Sequence, residues 1–132
     1  FKGEFSFLSN FHPHPIVYEG ITFPSSEHAF QAAKTLDMNE RQRIAALATP
    51  GKAKYAGKRV KLRENWNAIR VQIMTDILRI KFSDKTLKES LISTGERPLI
   101  EGNTWNDTFW GVCRGKGENN LGKILELIRS ER

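Results

Sequence analysis

The chain has 132 residues, 39% of them hydrophobic and 10% aromatic, which suits one packed domain and excludes a disordered chain. Its 21 Lys and Arg outnumber 15 Asp and Glu for a net charge of +6, a balance that attracts anions such as nucleotides, sugar phosphates or nucleic acid. No apolar run approaches the length of a membrane span, no signal segment is visible near the start, and the lone cysteine, Cys113, forms no internal disulfide, so a cytoplasmic setting is expected.

Taken in chain order, Ile16-Val-Tyr and Ile21-Thr-Phe23, split by Glu19-Gly20, predict a hairpin. Pro24-Ser-Ser26 then predicts a serine-capped helix running to about Leu36, with Ala29, Phe30, Ala33 and Leu36 as its apolar face. A second helix is expected from after Asn39 to near Ala48. Thr49-Pro50 predicts a third, with Thr49 as cap and Pro50 in the first helical position, reaching about Ala56. Trp66, Ile69, Ile73, Ile77 and Ile80 recur at helical spacing and predict a long core helix over residues 64–82. Ser83 is expected to cap a helix that stops at Thr94-Gly95, Leu99-Ile100 reads as a short strand, residues 102–119 as a long loop, and residues 121–129 as a final amphipathic helix. The expected class is α+β, mostly α: a multihelical single domain over residues 1–132 with a small sheet or hairpin.

Three stretches carry chemistry. Glu27, Gln31 and Lys34 stand at i, i+4 and i+7, which lines a carboxylate, an amide and an ammonium along about 10 Å of helix axis. Such a stripe is either a solvated face or the border of a catalytic pocket. The loop from Glu101 to Gly117 holds Trp105 and Trp110, suited to stacking on a base, Asp107, suited to a ribose hydroxyl or a proton, and Gly115-Lys116-Gly117, only loosely like a phosphate cradle. It reads equally as a loop packed by its own aromatics. Residues 52–63 contain Lys52, Lys54, Lys58, Arg59, Lys61 and Arg63 with no acid between, either a solvated face or a phosphate-facing patch. Asn10 either binds a ligand or satisfies turn backbone, and Trp66 is either core or pocket wall. Cys113 reads as a small buried thiol, and neither a zinc site nor a cofactor-binding motif is present in the sequence.

Several short motifs in fixed order resemble the YbiA/NADAR family of N-glycosidases across nearly the whole chain. They are Phe7-Leu-Ser-Asn-Phe11, Pro24-Ser-Ser-Glu-His-Ala-Phe-Gln31 with Lys34, Asn65-Trp66, Lys81-Phe82, Asn106-Asp107 with Trp110-Gly111, and Gly115-Lys-Gly117 with Leu121-Gly122. The resemblance implies a YbiA-like fold. It also implies cleavage, without cofactor or metal, of the bond between ribose C1′ and an exocyclic amine. The implied substrates are ribosylamino-pyrimidine 5′-phosphates of riboflavin synthesis, or ADP-ribose on guanine in DNA. Glu27, Trp66, Asp107 and Trp110 take the family's functional positions, and Lys34 matches the lysine proposed to form a Schiff base. Catalysis is thus expected from Glu27, Lys34 and Asp107. Substrate contacts are expected from Asn10, Phe11, Gln31, Lys54, Arg59, Trp66, Trp110, Gly111 and Lys116, with Lys54, Arg59 and Lys116 on phosphate. Ala29, where relatives often carry an aromatic, and Trp105 depart from the pattern. The competing readings are a non-catalytic ADP-ribose or nucleotide-binding module and a basic nucleic-acid-binding domain; no membrane partner is expected.

Overall fold

The computed structural model describes residues 1–131. The chain divides into two compact units, Asn10–Lys81 and Phe1–Ser9 with the chain from Phe82 onward. About half of it is helical, and its strands are short.

In the unit Asn10–Lys81, β1 (Pro13–Tyr18) and β2 (Ile21–Ser25) pair antiparallel, with Ile16 opposite Phe23 and Tyr18 opposite Ile21. The predicted hairpin forms, and positive φ at both Glu19 and Gly20 gives the two-residue turn that matches strand twist. α1 (Ser26–Ala32) follows without a linker. α2 (Met38–Ala45), α3 (Pro50–Gly57) and α4 (Trp66–Lys81) surround it. All seven residues of α1 are buried. It packs on α2, α3, α4 and both strands, so it is the central helix of this unit. Ile16, Phe23, Ala29, Phe30, Ile44, Ala53, Trp66, Ile73, Met74, Ile77 and Leu78 fill the core.

Several predicted boundaries move. α1 stops at Ala32 with Ala33 as its cap, not at Leu36, and Leu36 is exposed rather than part of the apolar face. The Thr35 N–H donates to the Ala32 carbonyl at 3.2 Å, a tightened turn that ends the helix. α2 begins two residues early because Asp37 Oδ1 accepts from the N–H groups of Asn39 and Glu40, and it ends at Ala45. Thr49 caps α3 as expected, accepting from the Lys52 N–H. In α4 the spine is Trp66, Ile73, Met74, Ile77 and Leu78, with Ile69 and Ile80 half-buried at its edges.

In the second unit a 3-10 helix (Gly3–Leu8), α5 (Lys85–Ser93), β3 (Gly102–Asn103), β4 (Val112–Cys113) and α6 (Asn120–Ser130) enclose Leu8, Phe82, Leu87, Leu91, Leu99, Leu121, Ile124 and Leu125. Asp84, not Ser83, caps α5, its Oδ2 accepting from the Leu87 N–H at 3.0 Å. Gly95 ends that helix in the left-handed region at φ +71°. Leu99-Ile100 is not a strand. The Leu99 N–H donates to Glu126 Oε2 and its carbonyl accepts from Asn119 Nδ2, so side chains satisfy the backbone there. The long loop instead contains a minimal parallel pair, Gly102 opposite Val112 and Asn103 opposite Cys113.

Candidate active site

The start of α1 explains why a carboxylate can be buried there. Ser25 Oγ accepts from the His28 N–H at 3.2 Å, and the Asn10 carbonyl accepts from the Glu27 N–H at 3.0 Å. Ser26 Oγ donates to Asn10 Oδ1 at 2.9 Å, while Asn10 Nδ2 donates to Met74 Sδ at 3.6 Å. Asn10 thus spends its side chain holding the helix start. Glu27, in the first turn, receives the favourable field of the helix N-terminus. It is 7% exposed, and Gln31 is 5% exposed. The solvated-face reading of this stripe is therefore wrong. Gln31 Nε2 donates to Glu27 Oε1 at 2.9 Å, so the i, i+4 pair meets as its spacing demands.

Lys34 lies two residues beyond Ala32, the last helical residue, in the turn that closes the helix. Its N–H donates to the Gln31 carbonyl at 3.3 Å. The following backbone is clamped: the Arg63 N–H donates to the Lys34 carbonyl at 2.8 Å, and Arg41 Nε donates to the Thr35 carbonyl at 2.8 Å. The Lys34 amine is half-buried, and burial pulls its pKa below the usual lysine value. The Glu27 carboxylate opposes that shift, while Lys58, Lys54 and Arg70 reinforce it. Carboxylate and amine are within electrostatic reach, and the net shift of the amine is downward. Arg70 was missed in the sequence. Its one signal was position, four residues past Trp66 and so on the same stripe of α4.

Trp66 is 6% exposed, with its ring centroid 5.3 Å from that of Phe30 at an interplanar angle of 48°. Phe11, beside Asn10, is exposed. Lys54 is half-buried and Arg59 exposed, its guanidinium lying 5.5 Å from the Tyr55 ring centroid. Arg59 stands between two open grooves. One, of about 750 Å³, is bordered by Thr35, Arg43, Arg59, Lys61, Leu62 and Arg63; the other, of about 530 Å³, by Leu47, Lys52, Tyr55 and Arg59. The basic run of residues 52–63 therefore lines concave surface, next to the turn that carries Lys34.

The loop residues belong to the second unit. Asn103 organises them: Oδ1 accepts from the N–H groups of Trp105 and Asp107, and Nδ2 donates to the Asp107 carbonyl at 2.8 Å. Asp107 Oδ1 then accepts from Phe109 N–H at 3.2 Å and Trp110 N–H at 2.9 Å. Phe109 and Trp110 meet edge to face, centroids 4.8 Å apart. A Cβ on Gly111 would stand 2.2 Å from the Glu101 carbonyl oxygen, so only glycine fits there. Trp105 is 58% exposed. Arg114-Gly115, both at positive φ, form a tight turn closed by paired bonds between Cys113 and Lys116, whose side chain is exposed. Cys113 itself is buried. Among the described residues no group of three or more His, Cys, Asp and Glu side chains is placed to hold a metal ion, and no helix is long and apolar enough to cross a membrane.

The fold and the pair define a helix-rich α+β protein with a buried carboxylate set against a depressed amine. The chain belongs to the NADAR family: the NADAR domain profile matches residues 1–131. It is 41% identical over 128 residues to N-glycosidase YbiA of Escherichia coli strain K12, covering 94% of this chain and 79% of that protein. It is 35% identical over 131 residues to an N-glycosidase of Nostoc punctiforme, covering 94% and 83%. A riboflavin biosynthesis protein of Vibrio vulnificus is 36% identical over 129 residues, 95% of this chain but 35% of that protein. The NMR structure of E. coli YbiA superimposes with a TM-score of 0.87 at 36% identity, covering 99% of this chain and 82% of that one.

Proposed function

We propose that this NADAR protein, a hydrolase of N-glycosyl bonds, cleaves the bond between ribose C1′ and an exocyclic amine through a Schiff base on Lys34. The observation that carries the reading is the buried Glu27 set against a half-buried Lys34 amine whose proton is held less tightly than in an ordinary lysine. A ribose joined through an exocyclic nitrogen can open to an imine at C1′. The neutral Lys34 amine adds to that carbon, and the Glu27 carboxylate relays the Nζ protons to the departing base amine. The C1′–N bond to the base breaks, leaving C1′ doubly bonded to Lys34 Nζ. Water then adds to C1′, Glu27 relays its protons to Nζ, and Nζ leaves. The sum is one water consumed and one base amine and one free ribosyl sugar formed.

Trp66 walls the site, Phe11 offers an open aromatic face, and Lys54 and Arg59 meet phosphate. Gln31 and Asn10, expected on the substrate, are better used as supports, since their amides are committed to Glu27 and to the helix start. For Asp107, Trp110, Gly111 and Lys116 the assignment to substrate rests on the family motif alone.

The riboflavin names of relatives favour a ribosylamino-pyrimidine 5′-phosphate as substrate. The basic grooves around Arg59 favour a polyanion, as in ADP-ribosylated guanine within DNA. Offering both to the protein and following base release by chromatography separates them. Release from the pyrimidine alone supports the first and release from DNA alone the second. Release from neither removes the proposal.

A further inference from the structure

Gly57 closes α3 where that helix crosses α1. A Cβ built there would stand 1.8 Å from Gln31 Oε1, 2.7 Å from its Cδ and 3.1 Å from its Cβ. The Gln31 amide therefore lies flat against the Gly57 Cα, in space that any other residue would occupy. Its nitrogen faces Glu27 Oε1 at 2.9 Å. Its oxygen is buried with no hydrogen-bond partner. A buried, unpaired acceptor is costly, and an apolar residue would avoid the cost if packing were the only demand on position 31. The backbone of Gly57 is ordinary helix, so close approach, not a special φ, is what demands glycine there.

We propose that Gly57 and Gln31 are a positioning pair for the reaction: the bare Cα of Gly57 holds the Gln31 amide in the rotamer that fixes the Glu27 carboxylate. This rests on the reading of Glu27 as the proton shuttle. Neither residue touches the reacting atoms. What a side chain at position 57 would meet is a movable amide rather than backbone, so the fold can absorb the change by turning Gln31 away. The loss then falls on Glu27 and on turnover.

The test is a kinetic cycle of Gly57→Ala, Gln31→Ala and the double variant, with melting temperatures alongside. Gly57→Ala should lower kcat by about tenfold to a hundredfold, the size of one hydrogen bond to a charged group, with KM nearly unchanged. In the Gln31→Ala background the methyl added at position 57 meets no amide, so the double variant should be no slower than Gln31→Ala alone. Independent, multiplying effects would overturn the pairing. Should Gly57→Ala not fold, Gln31→Leu, which keeps the volume and drops the donor, carries the same expectation. Glu27→Gln in parallel separates the failures. A slow Glu27→Gln beside a wild-type kcat in Gly57→Ala, or in Gln31→Leu, sinks only the positioning role. A wild-type rate in Glu27→Gln sinks the reading of Glu27 itself.

Discussion

The main-chain N–H of Arg63 donates a 2.8 Å hydrogen bond to the carbonyl of Lys34, so the turn that carries the amine is closed by the chain just before α4. Arg41 closes the other side, its Nε on the Thr35 carbonyl and its Nη1 on Glu19 Oε1, both at 2.8 Å. The amine thus sits on backbone pinned from two directions, although it lies past the end of its helix.

Arg41 is almost wholly buried while its partner Glu19 is largely exposed, so the bond to Thr35 outweighs the ion pair in importance. Arg41→Met should cost about 1–3 kcal/mol, because it leaves the Thr35 carbonyl unpaired. Urea unfolding measures this. Turnover should fall with it as the Lys34 turn loosens. A variant with unchanged midpoint and rate would show that the clamp is dispensable.

The Lys34 amine must be neutral to attack, and burial, then Lys58, Lys54 and Arg70, lower its pKa against the pull of Glu27. The acid limb of kcat/KM should therefore lie below the ordinary lysine range. Removing a cation that helps the depression must raise the pKa. Lys58→Met should accordingly move that limb to higher pH without removing activity. A limb that stays in place or moves down would contradict the assignment.

Lys81 is fully buried at the end of α4, and burial lowers its pKa from 10.5 to about 7. Between these values the unfolded chain holds a proton that the folded chain does not, so stability falls as pH drops from about 10.5 to 7 and is flat in this group below that. The slope is about 1.4 kcal/mol per pH unit in that window. Lys81→Met should lose this part of the pH dependence, read as the difference from the parent in melting temperature across that window. Because Lys81 also helps to lower the His12 pKa, after burial, NMR titration should find His12 raised in the variant.

Asn103 ties Trp105, Asp107 and Val112 into one loop. Asn103→Ala should release the N–H groups of Trp105 and Asp107, seen as faster hydrogen exchange across residues 103–110. Unchanged protection there would show that the aromatic packing alone holds the loop.

Much of this was legible in the sequence because local rules decided it. The hairpin, the Ser25 and Thr49 caps and the α4 spine follow from turn chemistry and periodicity. The carboxylate–amide contact followed from i, i+4 spacing. What spacing could not give was the end of α1: nothing between Ala33 and Leu36 breaks a helix locally, and the stop is imposed by Arg41 and Arg63 from distant positions. Burial of Glu27 was equally hidden, since the same polar stripe fits a solvated face and a helix wrapped on every side. Asp84 took the cap assigned to Ser83, and Asp37 started α2 ahead of Asn39, because neighbouring cap formers compete and packing chooses between them.

The central claim is a covalent bond between ribose C1′ and Lys34 Nζ, and borohydride reduction during turnover, followed by peptide mass mapping, reads it directly. The parent protein should carry one sugar adduct on the peptide holding Lys34, and Lys34→Ala should carry none. An adduct that persists in Lys34→Ala, or turnover by the parent with no adduct at any time of quenching, would contradict the account.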